Sequence, residues 1–134
     1  RKESSAASDV YKRQDIIINE KMIENVRHLE PIFMGGLKNF EDLEFIGESR
    51  GIGLMGALEM VQDKKNKLPF DGSISIGERV ANKCIENGLI CRPLGPSIVL
   101  CPPFITSEEE MGIIFDTLEK TLKEVFSEVK SLGQ

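Results

Sequence analysis

The sequence lacks the basic surplus and the aromatic residues that are typical of nucleic-acid-binding proteins. Its 134 residues include 17 lysines and arginines against 22 aspartates and glutamates, which gives a net charge of −5. It has no tryptophan and one tyrosine. A face that binds phosphates normally shows as a surplus of basic residues. We therefore expect no nucleic-acid partner.

Long apolar runs are lacking as well. No stretch approaches the roughly 20 apolar residues that a membrane-spanning helix needs, and no apolar segment near the N-terminus indicates a secretory leader. The sequence therefore predicts no membrane association and a cytoplasmic location. Hydrophobic residues make up 40% and charged residues 29% of the chain, which is typical of a globular domain. A chain of this length can bury a substantial core.

Cysteine and histidine are too few for a metal centre of the usual kind. The three cysteines, Cys84, Cys91 and Cys101, form an odd set without a CxxC pair, and no leader accompanies them, which favours a reducing compartment. A structural zinc site needs four ligands, normally at close spacing. We interpret the cysteines as free thiols and the single histidine, His28, as a surface residue.

Common catalytic and nucleotide-binding motifs are absent, apart from one GxGxxG string. The string consists of Gly51, Gly53 and Gly56. A dinucleotide-binding fingerprint must follow a strand and open a helix, whereas this string follows a predicted turn and runs into a predicted strand. Small residues in a strand indicate that another element packs closely against its backbone, and we favour that interpretation.

The first fourteen residues differ from the rest of the chain. The segment RKESSAASDVYKRQ has neither a helical nor a strand period, and its SSAASDVYKRQ part resembles translated sequencing-adapter sequence. We interpret residues 1–14 as a non-native or disordered segment without function. The alternative is an ordinary flexible arm. One folded domain is predicted over residues 15–134.

The rest of the chain has the patterns of alternating helices and strands. A helical period covers residues 15–40, where Pro31 and the Gly35-Gly36 pair predict a bend or an interruption. Capping boxes that begin at Ser75 and Thr106 predict the starts of two further helices. The last of these has apolar residues every three or four positions to the end of the chain.

Two pairs of strands are predicted, each around a turn: 45–46 and 52–61 around 47–51, and 89–92 and 97–101 around 93–96. A polar segment with turn signals at residues 62–72 separates the two pairs. The predicted fold class is α/β, in the sense of an α+β sandwich: a small, mostly antiparallel sheet with helices packed on it.

Arg92 is the residue with the clearest chemical potential. It lies at the end of a predicted strand, before the turn Pro93-Leu94-Gly95-Pro96, and has no acidic neighbour in the sequence. A guanidinium fork at a turn suits two-pronged binding of a carboxylate. Most arginines, however, are solvated or form structural ion pairs. The residues alone favour the structural role, and carboxylate binding is the alternative.

Three segments resemble the C-terminal part of class III, omega-type aminotransferases, and in particular the amine–pyruvate transaminases. They are ESRGIGLMGALEMVQDK, ERVANKCIENGLICRPLGPSIVLCPPFITSEEEM and the amphipathic tail that follows. The similarity extends over residues 15–134, and GLICRPLGPSIVLCPPF is its most specific part. The Gly35-Gly36 pair departs from the helix-favouring residues expected there, which affects local stability and not the family.

The resemblance implies a homodimeric, pyridoxal-phosphate-dependent enzyme of fold type I, of which this chain would be the small domain. The cofactor lysine and the phosphate-binding residues lie in the family's large domain, so the isolated chain is expected to be inactive. In the omega-transaminases, the arginine of the CRPLG segment pairs with the substrate carboxylate, and Arg92 is the matching position. Leu94 and Cys101 match positions near the substrate pocket, and Arg50 is assigned a structural role in the sheet.

The function implied by this resemblance is transfer of an amino group from an amine or amino acid to a keto acid such as pyruvate. The segment would contribute recognition of the substrate carboxylate, while the cofactor performs the bond-breaking chemistry. One alternative is a stand-alone small α/β ligand-binding or regulatory module. Another is a decarboxylase or isomerase on the same scaffold, although the CRPLG arginine favours the transaminase.

Overall fold

The computed structural model describes residues 5–132, which form helices on one side of a small sheet. The α-helices are α1 (Ser5–Asn19), α2 (Met22–Asn39), α3 (Ile76–Glu86) and α4 (Glu108–Leu132); the strands are β1 (Ile46–Ile52), β2 (Met55–Met60), β3 (Arg92–Leu94) and β4 (Ser97–Leu100). Short 3-10 turns follow α2 at Phe40–Asp42 and precede α3 at Gly72–Ile74. None of the helices within residues 5–132 is long and apolar enough to cross a membrane.

The sheet is antiparallel throughout, with the strand order β1-β2-β4-β3. This confirms the predicted fold class of a small antiparallel sheet with helices packed on it. Helices α2 and α3 pack directly on the sheet, and α4 packs against both of them. The face toward the helices carries buried residues that alternate along the strands, namely Leu58, Met60, Ile98 and Leu100.

The long last helix completes the core. As its apolar spacing predicts, α4 buries Met111, Leu118, Leu122, Val125 and Val129. Near its end, the ring of Phe126 meets that of Phe45 edge to face, with 5.1 Å between the ring centroids. Such aromatic pairs contribute about 0.5–1.5 kcal/mol to stability beyond the contribution of the apolar area that they bury.

Both hairpin turns differ from the prediction. The first lies at Gly53-Leu54, between Ile52 and Met55, and not at residues 47–51, which belong to β1. Gly53 has a φ of +57°, a conformation that glycine adopts without steric cost. In the second hairpin, Pro93 is part of β3 and only Gly95-Pro96 forms the turn. Proline is tolerated there because β3 is an edge strand.

The N-terminal helical region breaks at a different place from the one predicted. Helix α2 continues through Pro31 and Gly35-Gly36, and the break lies at Glu20-Lys21, where Lys21 adopts a left-handed conformation with a φ of +51°. Packing of the buried side chains Leu29, Phe33 and Leu37 on the sheet holds α2 together despite its weak local propensity.

Helix α1 includes residues 5–14, for which the sequence showed no helical period. Every side chain from Asp9 to Ile16 is exposed, which explains why the helix has no apolar stripe to detect. Residues 1–4 of this segment lie outside the described residues. Its non-native origin stays a prediction.

Both predicted capping boxes need correction. Ser75 is left-handed, with a φ of +48°, and its side chain makes no capping bond to α3; its hydroxyl donates instead to the carbonyl of Gly72 at 3.3 Å. At α4 the box is shifted by one residue from the prediction at Thr106. The backbone N–H of Glu110 donates to Ser107 Oγ at 3.1 Å, and the N–H of Ser107 donates to the Glu110 carboxylate at 2.8 Å.

Candidate functional site

The face of the sheet that points away from the helices is open, and Arg92 lies on it. Cross-strand pairing places Arg92 of β3 opposite Val99 of β4, Val99 opposite Ala57 of β2, and Ala57 opposite Arg50 of β1. Directly opposed residues in a sheet share a face, so this row runs across all four strands. We call this side of the sheet the open face.

The two arginines at the ends of the row have different surroundings. Arg50 donates to the carboxylate of Glu59 at 2.7 Å and lies 3.8 Å from that of Glu48. Arg92 is exposed, and no carboxylate within residues 5–132 lies within 4.0 Å of its guanidinium. Arg50 is thus engaged in ion pairs with Glu59 on the neighbouring strand and with Glu48 on its own strand, whereas the fork of Arg92 is available to an anion.

The structure places the other two predicted site residues beside Arg92 on the open face. Leu94 follows Arg92 by two residues in β3, which puts both on the same side, and its side chain is 63% exposed. Cys101 follows Val99, the partner of Arg92, by two residues, and it is an exposed free thiol. Leu94 and Cys101 therefore flank the row of Arg92 on opposite sides.

Sequence reasoning did not assign three apolar residues to this surface. Ile52 and Met55, which close the first hairpin, are 72% and 57% exposed, and Ile90, two residues before Arg92, is 86% exposed. For Met55, alternation with the buried Leu58 and Met60 of β2 was a signal that could have found it, whereas no such alternation in β1 or β3 marks Ile52 or Ile90. An exposed apolar surface next to a guanidinium can lower the local dielectric constant once it is covered, which strengthens an ion pair.

The two buried cysteines connect α3 to the strand of Arg92. Cys84 on α3 and Cys91, directly before Arg92, are buried free thiols, and α3 packs on β3. Interaction between the two thiols lowers the pKa of Cys84, although burial opposes the effect, and it raises the pKa of Cys91 together with burial. No metal-ligating cluster of three or more His, Cys, Asp or Glu residues is found within residues 5–132.

The predicted surface position of His28 agrees with the structure. Its imidazole is 61% exposed, and Nε2 lies 2.5 Å from the carboxylate of Glu108 at the start of α4. This contact joins α2 to α4 on the surface, remote in sequence from Arg92 and on the helical side of the sheet. His28 therefore forms a surface contact between two helices, which fits a structural role.

The lysines of the described residues do not fit the site of a covalently bound aldehyde cofactor. Such a lysine must be enclosed and able to lose its proton. Between residues 5 and 132, only Lys83 is even partly buried, and it forms an ion pair with Glu86 at 3.0 Å that raises its pKa. The remaining lysines of this range are exposed. The lysines of residues 5–132 therefore do not provide a site for such a cofactor.

Comparisons with known proteins found a matching family model and similar solved structures. The family model described as aminotransferase class-III matches residues 4–122. The crystal structure of an omega-transferase from Vibrio fluvialis JS17 is 56% identical, with a TM-score of 0.86 over 87% of this chain and 28% of that chain. An omega-aminotransferase from Paracoccus denitrificans is also 56% identical, with a TM-score of 0.87 over 89% of this chain and 26% of that one.

A curated relative with a different name is also similar to this chain. The adenosylmethionine-8-amino-7-oxononanoate aminotransferase of Methanocaldococcus jannaschii is 36% identical over 110 residues, which is 82% of this chain and 24% of that protein. The chain spans about a quarter of the length of the curated relatives that it matches.

Proposed function

Because this chain belongs to the class-III aminotransferases, we propose that it is the C-terminal small domain of an omega-type transaminase, over residues 15–134, and that Arg92 binds the substrate carboxylate. The observation that carries this proposal is the contrast between the two arginines of the open face. Arg50 is neutralised by its strand neighbours, and Arg92 has no carboxylate partner within residues 5–132.

The chemistry of the site favours a small carboxylate such as that of pyruvate or alanine. A guanidinium offers two parallel N–H donors that match the two oxygens of a carboxylate. Leu94 and Cys101 beside it would contact the short carbon chain of the substrate. An amine donor without a carboxylate has no use for Arg92, which can then turn its side chain away on the exposed edge strand.

The rest of the enzyme would supply the bond-breaking chemistry. Pyridoxal phosphate, bound to a lysine of a large domain outside this chain, acts in such enzymes as the electron sink. The large domain and a second subunit of a homodimer would cover the open face. The exposed Ile52, Met55 and Ile90 support this, because soluble proteins seldom leave large apolar patches uncovered. We also propose a cytoplasmic location, in keeping with three free thiols.

The family match bears on the alternatives. It covers residues 4–122, which favours a segment of a transaminase over a stand-alone ligand-binding module. The relatives compared above are aminotransferases, which favours amino-group transfer over decarboxylation or isomerisation on the same scaffold. We propose a ping-pong reaction in which an amine donates its amino group and a keto acid such as pyruvate takes it up.

The test of the role of Arg92 is the Arg92→Ala variant of the full-length enzyme. The half-reaction with alanine should fall, because losing a charge-assisted pair in a desolvated site costs about 2–5 kcal/mol, or roughly 30-fold to several thousandfold in kcat/KM. The half-reaction with a carboxylate-free amine should change little. Arg92→Lys should recover only part of the loss, since an ammonium lacks the planar fork.

Arg50→Ala is the matched control, because it removes the arginine at the other end of the same cross-strand row. This variant should leave the ratio of the kcat/KM values of the two half-reactions unchanged. If both half-reactions fall equally in Arg92→Ala, then Arg92 holds the hairpin in place and does not bind the carboxylate.

A further inference from the structure

The hairpin formed by β3 and β4, which carries Arg92, touches α3 at its turn. Gly77 lies in the first turn of α3 and is buried. A Cβ atom at Gly77 would fall on the carbonyl oxygen of Gly95 in the hairpin turn and would lie 3.2 Å from the carbonyl oxygen of Ser97. The obstacle is backbone on the hairpin side, so a side chain at this position could be accommodated only if the helix or the turn moved.

The same helix also touches the base of the hairpin. Cys84 is seven residues beyond Gly77, which places both on one side of α3. Helix α3 packs on β3 here, and the thiol of Cys84 interacts with that of Cys91, the residue directly before Arg92. Both thiols are buried, with exposed fractions of 0% and 8%. One side of α3 therefore contacts the hairpin on either side of Arg92, through Gly77 at the turn and through Cys84 at the base. We call these two contacts the α3 seam.

Little else restrains the position of Arg92. Strand β3 has three residues, lies at the edge of the sheet and is bonded only to β4. A shift of the turn at Gly95 would therefore pass to the backbone of Arg92 two to three residues away. Two-pronged binding of a carboxylate is sensitive to such shifts, since a displacement of about 1 Å can cost on the order of 100-fold in rate.

We propose that the α3 seam sets the position of the Arg92 guanidinium toward the substrate carboxylate, and that Gly77 is the positioning residue because only a residue without a side chain lets α3 reach the hairpin turn. This inference rests on the proposed function of Arg92. Gly77 itself touches neither substrate nor cofactor in this account; it acts through the hairpin.

The test is Gly77→Ala in the full-length enzyme, with Gly112→Ala as the matched control. Gly112 lies in the first turns of α4, and a Cβ there would meet no atom within 4 Å. Gly77→Ala should lower kcat/KM for pyruvate by about 10- to 100-fold and leave a carboxylate-free amine within about twofold. Gly112→Ala should change neither.

A double-mutant cycle shows whether Gly77 acts through Arg92. In an Arg92→Ala background, Gly77→Ala should cause little further loss with pyruvate, because the group that it positions is gone. Independent losses that multiply would contradict the inference. A structural readout accompanies the cycle: Cys91, located by peptide mapping, should react faster with a thiol reagent in Gly77→Ala than in the parent or in Gly112→Ala.

Cys84→Ala provides a second variant in case Gly77→Ala does not fold. It removes the contact at the base of the hairpin without adding atoms, and it should show the same selective loss with pyruvate, of smaller size. The inference alone is wrong if Arg92→Ala is selective for carboxylate substrates while Gly77→Ala and Cys84→Ala are not. If Arg92→Ala itself is not selective, the proposed function fails and the inference fails with it.

Discussion

Gly56 in β2 is a point at which α2 packs closely on the sheet, and its substitution by alanine tests the packing of the fold. A Cβ atom there would meet the Cδ1 atom of Leu37 and lie 2.9 Å from the Cε1 atom of Phe33. Both side chains are fully buried, so they have no free space into which to move. Overpacking of this kind costs about 1–3 kcal/mol, and replacing a strand glycine recovers roughly 0.5–1 kcal/mol.

We therefore expect Gly56→Ala to lower the free energy of unfolding by about 1–2 kcal/mol. For a domain of this size, that corresponds to a decrease in Tm of roughly 4–8 °C. Urea unfolding and a thermal scan of the 134-residue chain would measure both quantities.

Gly35→Ala is the matched control for this prediction. Gly35 lies inside α2, and a Cβ there would meet no atom within 4 Å. Alanine should therefore stabilise the helix by up to about 1 kcal/mol. A Gly56→Ala chain as stable as the parent would refute the close packing of α2 on β2.

Three further predictions concern other parts of the chain. Ser107→Ala, which removes the N-terminal cap of α4, should destabilise the fold by about 0.5–2 kcal/mol in urea unfolding, and an unchanged midpoint would contradict the shifted capping box. Hydrogen bonds from Lys38 and Ser49 lower the pKa of Glu41 to about 2. The stabilisation of the fold by the ionised Glu41 is therefore present above about pH 4.5 and lost as the pH falls toward 2. The free energy of unfolding of Glu41→Gln should therefore fall less than that of the parent between pH 6 and pH 2. The isolated chain, incubated with pyridoxal phosphate, an amine donor and pyruvate, should form no alanine above a cofactor-only control, and turnover would contradict the assignment of the cofactor lysine to another domain.

Elements with a strong, regular pattern could be predicted from the sequence. The apolar residues of α4 recur every three or four positions, and the structure confirms this helix. The glycines of RGIGLMG predicted close packing on the strand backbone, and Gly56 confirms it through its approach to Leu37 and Phe33. Pairs of short extended segments joined by turns were sufficient to predict a small, mostly antiparallel sheet.

The errors in predicting local structure have a common cause, because tertiary contacts override the conformational preferences of short sequence segments. Ser75-x-x-Glu78 has the sequence of a capping box, but Ser75 ends the preceding 3-10 turn in a left-handed conformation and its hydroxyl donates to the carbonyl of Gly72. Pro31 was expected to bend or interrupt the helix; α2 runs through it without interruption, and its buried side chains pack on the sheet. Neither contact is visible within a short sequence window.

The candidate site was predicted in part. The turn after Arg92 and the lack of acidic neighbours in the sequence drew attention to this residue. Sequence could not show that Arg50 lies in the same cross-strand row and is neutralised by Glu48 and Glu59, because this contrast depends on register. The close approach of Gly77 to the hairpin turn likewise depends on a contact between two residues that are 18 positions apart, Gly77 and Gly95.

The central claim is that Arg92 recognises the carboxylate of the acceptor, and one ratio tests it most directly. The ratio is kcat/KM for pyruvate divided by kcat/KM for acetaldehyde, which has the same reacting carbonyl group without the carboxylate. It is independent of the fraction of active enzyme, so a folding defect cannot change it. The account predicts that Arg92→Ala lowers this ratio by at least about 30-fold relative to the parent enzyme, while Arg50→Ala leaves it unchanged. An Arg92→Ala enzyme with the parent's ratio would contradict the claim.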